Sequence, residues 1–180
     1  EDADVVIMQD YNKGVLHKGN IEILIEIARK ANIPVVVDPK KANFLAYKNV
    51  DLFKPNLKEI KEGLNIDTDL TTTEGVTEAI ALMHEQLKNK VSMVTMSERG
   101  VLVSTADQQY HTKAHIRNIS DVSGAGDTVI SIAACCIATG CTLKQLSELS
   151  NLGGGLVCEE KGVVPISKER LISEADRIGL

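Results

Sequence analysis

The feature that most narrows the fold is a strand–helix–strand unit near the start of the chain. Residues 5–8 (Val-Val-Ile-Met) are a short apolar run bounded by polar residues, the pattern of a buried strand. Ile21, Leu24, Ile25 and Ala28 then recur at helical spacing, with Glu22, Glu26, Arg29 and Lys30 outside the stripe. Residues 34–37 (Pro-Val-Val-Val) give a second strand. Strands joined through a helix pair in parallel, because a tight hairpin has no room for the crossover. The alternation continues. Residues 51–53 read as a third strand, and Thr71 and Glu74 as a capping box opening a helix through Val76, Ala79, Ile80, Met83 and Leu87. Residues 91–96 and 101–103 are strands across a turn, and 109–111 a further short strand. Residues 128–137 form an uncharged helix with Val129, Ile132, Ala133, Cys136 and Ile137 on one face, and Leu143, Leu146 and Leu149 extend helical periodicity. The expected class is α/β: a Rossmann-like layered fold with a largely parallel central sheet flanked by helices, as one domain over residues 1–180.

Composition removes several function classes. A net charge of −5, no Trp and two Phe argue against a nucleic-acid surface or a base-stacking platform. The longest uncharged run, residues 128–143, is too short and too rich in Thr, Ser and Gly to span a bilayer. A soluble, cytoplasmic protein with no membrane partner is expected. The four cysteines include no C-x-x-C pair, so they read as free thiols in a reducing compartment. His111 and His115 have the spacing of a helical metal pair but lie in strand and loop, which rejects a zinc site. The chain opens Glu1-Asp2-Ala3-Asp4 directly into a strand with no initiator Met, the mark of a cut or truncated chain.

Ligands of open α/β sheets bind past the carboxyl ends of the strands. Asp10 and Lys13 follow the first strand and Asp38 and Lys40 the second, so these four are substrate-side candidates. After the third strand, Asn56 and Glu59 lie on one face of a starting helix. They suit either a capping box or the placement of a hard cation such as Mg²⁺ through water, and the two roles can coexist. After the fourth come Thr95, Ser97, Glu98 and Gly100, readable as a β-turn with Gly100 at positive φ or as a nucleotide-side loop.

The chemistry concentrates at Asp121-Val122-Ser123-Gly124-Ala125-Gly126-Asp127. A glycine-rich entry to a helix exposes unpaired N–H groups at the positive end of the helix dipole, an anion site. A carboxylate beside it repels an anion, unless it takes a proton from a hydroxyl attacking that anion. The arrangement suggests phosphoryl transfer to an alcohol, with Asp127 as base. The plainer alternative is a turn followed by a helix-start aspartate.

This segment resembles the C-terminal signature of the PfkB/ribokinase family of sugar kinases. The resemblance implies that Gly124, Ala125 and Gly126 form the anion hole and Asp127 is the catalytic base, with ATP and Mg²⁺ required. It aligns Asn56 and Glu59 with an N-x-x-E motif that places Mg²⁺ and phosphate, and Thr95 and Gly100 with the nucleotide loop. Asn151 falls at the start of a helix beside the adenine. The Asp10-Tyr11-Asn12-Lys13-Gly14 loop is similar to that of the heptose 7-phosphate kinases that form one half of bacterial ADP-heptose synthesis proteins. By that likeness Asp10 and Lys13 face the sugar phosphate, and the product serves lipopolysaccharide core synthesis.

Three departures stand out. Ile132 occupies a position where the family has a small residue. Gly153, Gly154 and Gly155 replace its alanines, leaving open whether the segment is a loop or a helix that something flat approaches closely. The family's N-terminal part, with a sugar-gripping glycine pair and a β lid that forms a homodimer, has no counterpart. A non-catalytic nucleotide-binding or interaction module, or another ribokinase-family kinase, is therefore the alternative reading. Gly162 is expected just past a helix end and Ser167 as the cap of a last helix.

Overall fold

The computed structural model describes residues 2–115 and 117–180, so Glu1 lies outside it. Six strands form one sheet in strictly sequential order: β1 (Val6–Gln9), β2 (Val35–Asp38), β3 (Leu52–Phe53), β4 (Val91–Thr95), β5 (Val101–Ser104) and β6 (Gln109–Thr112). β1 to β4 are parallel, and β5 and β6 complete the sheet as an antiparallel meander. The α/β class with a mostly parallel sheet is as expected.

The order of the strands decides where the helices go. Right-handed crossovers that always step the same way place their connections on one face. That face carries α1 (Lys18–Lys30), a 3-10 helix (Lys41–Ala46), α2 (Leu57–Leu64) and α3 (Thr73–Leu87). Its core includes Ile21, Ile25, Val35, Val37, Phe44, Ile60 and Met83. Phe44 meets Phe53 edge-on with ring centroids 4.9 Å apart. The opposite face is left to the C-terminal helices α4 (Ala125–Ala138) and α5 (Leu143–Val157), with α6 (Lys168–Ile178) packed on α5. There Val36, Leu52, Met93 and Val103 meet Val129, Ile130, Ala133 and Leu146. Val35, Val36 and Val37 thus feed two cores in alternation, which is why the run is continuously apolar.

Local signals held with two shifts. Asn56 accepts from the Glu59 amide and Glu59 reaches back to the Asn56 amide, both at 2.9 Å, completing a capping box on α2. Ser167 Oγ accepts from the Arg170 amide and caps α6. The cap of α3 is Thr72, not Thr71: Thr72 Oγ1 accepts from the Gly75 amide at 3.1 Å. Thr71 is drawn instead to the Asp69 carboxylate by its amide and its hydroxyl, a local side-chain competition. Gly162 is not a helix terminator either. α5 ends at Val157, and Gly162 sits at φ +76° in the following loop, donating its amide to Asp121 Oδ2 at 3.1 Å.

The three glycines lie inside continuous α5, and what approaches them is the protein itself. A Cβ on Gly153 would fall 2.1 Å from Ile132 Cδ1, and one on Gly154 2.7 Å from Val129 Cγ2. Ile132 is large where Gly153 is small, so α4 and α5 trade volume across their contact. Gly153→Ala should gain helix propensity but displace Ile132, and pairing it with Ile132→Val should remove the clash. A double-mutant cycle in urea is expected to show coupling of about 1 kcal/mol or more. Additivity within about 0.3 kcal/mol would reject the volume exchange.

Candidate active site at the carboxyl edge of the sheet

Each parallel strand ends by presenting a polar residue to the same edge: Gln9 and Asp10 from β1, Asp38 from β2, Lys54 after β3 and Thr95 from β4. The α4 N-terminus arrives at this edge from the second helical layer. The helix begins at Ala125, three residues before the expected start, so the glycine turn is its first turn. Gly124 is the N-cap at φ +80°, ψ −4°, a left-handed conformation that a Cβ would strain. With no side chain, Gly124 offers no side-chain cap, so the first turn of α4 has no side-chain acceptor; the Ala125 amide donates to the Val122 carbonyl at 3.3 Å.

Asp127, exposed in that first turn, is held by the strand ends. Gln9 Nε2 donates to Asp127 Oδ1 at 2.9 Å and to Asp38 Oδ2 at 2.8 Å, bridging the two carboxylates. The Tyr11 hydroxyl donates to both Asp127 oxygens, at 2.9 and 3.0 Å. The bond to Asp127, reinforced by burial and nearby carboxylate charge, holds the Tyr11 phenol above its ordinary pKa.

Behind this pair lies a buried ion pair. Lys54, 3% exposed, places Nζ 3.0 Å from Asp38 Oδ2. Burial pushes the Asp38 carboxyl upward, against the Lys54 charge and the hydrogen bonds from Lys54 and Gln9. A Cβ on Gly126 would come within 3.8 Å of Lys54 Nζ and 3.9 Å of Asp38 Oδ2, so the ion pair borders the glycine turn.

The remaining candidates divide. Lys40 pairs with Glu59, whose other oxygen accepts from the Asn56 amide, so both Glu59 oxygens are engaged. Burial works to lower the Lys40 ammonium, but Glu59 and nearby carboxylates outweigh it and raise the pKa. Thr95 bridges to Asn56, which brings the nucleotide-side and metal-side candidates together. Among the described residues no three His, Cys, Asp or Glu side chains cluster to hold a metal ion. This donor set fits a magnesium ion carried by substrate phosphates and met through water. Ser97 and Glu98 are exposed on a one-turn 3-10 helix, and Lys13 is exposed on the β1–α1 loop. Gly100 has a structural reason of its own: at φ +87° its Cβ would lie 2.0 Å from the Thr112 carbonyl oxygen.

Asp10 and Asn151 are turned inward. Asp10, 2% exposed, accepts from Tyr47 Oη at 2.7 Å, Asn43 Nδ2 at 3.0 Å and the Asn12 amide at 2.7 Å, and so anchors the loop that carries Tyr11 and Lys13. Asn151 is buried on α5 and donates to the Lys113 carbonyl at 3.0 Å, on the β6 side of the molecule. Gln9, Tyr11 and Lys54 were not singled out from sequence. Lys54 and Gln9 were findable, since both stand at strand ends on the same edge as Asp38.

No helix of the described residues is long and apolar enough to cross a membrane. The described cysteines Cys135, Cys136, Cys141 and Cys158 are all free thiols.

Known proteins share this architecture. The chain is 37% identical over 171 residues to the bifunctional protein HldE of Caulobacter vibrioides, covering 94% of the chain and 35% of the relative. It therefore spans about a third of the length of the curated relatives it matches. Phosphofructokinase-2 from Escherichia coli superposes with a TM-score of 0.87 at 19% identity, covering 98% of this chain and 57% of that one. Arabidopsis thaliana ribokinase, solved with ribose and ATP, gives 0.82 at 18% identity, covering 96% and 55%. At those identities the two structures speak for the fold alone. Residues 1–170 match the profile of the pfkB family carbohydrate kinases. With the glycine turn, the strand-edge carboxylates and the sequential parallel sheet in place, the chain belongs to the pfkB family of carbohydrate kinases.

Proposed function

We propose that this chain supplies the nucleotide-binding and catalytic part of an ATP-dependent kinase that phosphorylates a sugar or sugar-phosphate hydroxyl. The acceptor that fits best is D-glycero-D-manno-heptose 7-phosphate at its anomeric hydroxyl, in keeping with the similarity to HldE proteins. The observation that carries the reading is Asp127 in the first turn of a glycine-capped helix, next to the buried Lys54–Asp38 pair.

The parts divide the work. Asp127 accepts the proton of the attacking hydroxyl as the γ-phosphoryl group moves to its oxygen. The amides of residues 124–126 and the dipole of α4 take up charge on the transferring group. Lys54, already dehydrated, adds a full positive charge at the same turn without reorganisation. Asn56 and Glu59 would meet magnesium through water on the nucleotide phosphates, and that ion would neutralise phosphate charge. Thr95, Ser97, Glu98, Gly100 and Asn151 remain the nucleotide side. Lys13, Lys40, Asp38 and Asp10 remain the acceptor side, with Asp10 acting through the loop it anchors. Because the proposed reaction draws on ATP, we infer a cytoplasmic location.

The test is an ADP-release screen on the full-length protein carrying this chain. Heptose 7-phosphate, fructose 6-phosphate and ribose are compared, together with calorimetric titration of Mg²⁺-ATP and Mg²⁺-ADP into the 180-residue chain. Heptose 7-phosphate is expected to stimulate ADP release most. Saturable nucleotide binding with no stimulation by any sugar would favour a binding module over a kinase.

A further inference from the structure

The two donors on Asp127 differ in kind. Gln9 is the last residue of β1, partly buried and tied at its far side to Asp38. It is a fixed part of the edge. Tyr11 is 56% exposed, and among the described residues its hydroxyl has no partner except the two Asp127 oxygens. Its backbone, by contrast, starts from a firm anchor. Asp10 is locked by Tyr47, Asn43 and the Asn12 amide. Asn12 at φ +52° and Gly14 at φ +91° then turn the loop away. Tyr11 is thus an exposed arm on a fixed pivot, its hydroxyl held by the carboxylate of Asp127.

That contact is chemically the one an acceptor alcohol must make. A hydroxyl about to lose its proton to Asp127 has to donate to one of the oxygens that the phenol now occupies. We propose that Tyr11 is a plug on the catalytic base, which an acceptor hydroxyl displaces one for one and which otherwise keeps water from using that base. The inference rests on the kinase reading given above.

Two consequences follow from the geometry. With ATP bound and no acceptor, an uncovered Asp127 can activate water. The water oxygen then bonds to the γ-phosphorus, the bond to the β,γ-bridging oxygen breaks, and the water proton passes to Asp127. ADP and inorganic phosphate leave. The Tyr11 hydroxyl occupies both carboxylate oxygens and suppresses this reaction. An acceptor with a second anchor has the advantage over water in displacing it. Lys13, two residues along the same loop and exposed, is the cation we assign to that anchor for a phosphorylated sugar. Tyr11 therefore sets a threshold that favours anchored acceptors over water and over unphosphorylated sugars.

The experiment is Tyr11→Phe in the full-length protein, which removes the hydroxyl and keeps the ring. Phosphate release from Mg²⁺-ATP without acceptor should rise about tenfold, the weight of one hydrogen bond to a charged acceptor at an exposed site. The KM for heptose 7-phosphate should fall severalfold, and Asp127→Asn in the Tyr11→Phe background should return acceptor-free release to the wild-type level or below. Acceptor-free release within twofold of wild type, or a rise in acceptor KM, would overturn the plug. The second result would make Tyr11 a group that holds substrate. Failure of this proposal is separable from failure of the kinase reading. If Asp127→Asn alone abolishes acceptor phosphorylation while Tyr11→Phe changes neither quantity, only the plug falls. A turnover-free check is the ¹³C resonance of the Tyr11 ring carbon bonded to oxygen, which should shift in Asp127→Asn and on addition of heptose 7-phosphate. No shift in either case would show that the contact is not the one displaced.

Discussion

Asp127→Asn is expected to lower phosphoryl transfer to the acceptor by about a hundred- to ten-thousandfold, the range that a positioned general base contributes. The substitution is close to isosteric. An asparagine Oδ1 can still accept from Gln9 and Tyr11, so the edge of the sheet keeps its geometry. What it loses is the capacity to take a proton. Nucleotide affinity should be retained, because the anion-binding amides of the turn are backbone groups. Steady-state turnover and calorimetric titration of Mg²⁺-ATP separate the two effects. Turnover within tenfold of wild type would remove Asp127 from the role of base.

The second large effect concerns Lys54. Removing one partner of a buried ion pair leaves an uncompensated charge and costs about 3–5 kcal/mol. Lys54→Met should therefore destabilise the fold by roughly that amount, read from the urea midpoint. Asp38 would then have only Gln9 to hold its charge. The double variant Lys54→Met, Asp38→Asn should recover much of the stability, since the unpaired charge is gone. It should not recover turnover, because the cation beside the glycine turn and the Asp38 carboxylate of the acceptor side are both missing. Recovery of both would make the pair purely architectural.

Much of the layering was legible along the chain. Continuous apolar runs mark the buried strands and a 3.6-residue period the helices, and a crossover helix between apolar strands forces parallel pairing. The motif at residues 124–127 also reads locally, because a glycine turn and the helix it opens are neighbours in sequence. What stayed hidden are the contacts made across the fold. Gln9 and Tyr11 meet Asp127 across 118 and 116 residues, and nothing in their own surroundings announces it. The glycines of α5 looked like a weakness of one helix and turned out to be the space that Val129 and Ile132 of another need. Thr71 and Thr72 carry the same hydroxyl, and only the position of Asp69 decides which one caps α3. Asp10 was legible by position at a strand end, whereas its anchoring by Asn43 and Tyr47 belongs to a segment more than thirty residues away.

The sequential strand order has a kinetic consequence. Each strand pairs with its neighbour in the chain, so the sheet can grow by short steps with low loop-closure cost. The layer that carries Asp127 closes last in sequence, packing α4 back over β1 and β2. Assembly of the site therefore requires a long-range closure, and native-state hydrogen exchange should find α4 and α5 opening as a unit while α1 and β2 remain protected. Competence for catalysis would then be the final property the polypeptide acquires and the first it surrenders.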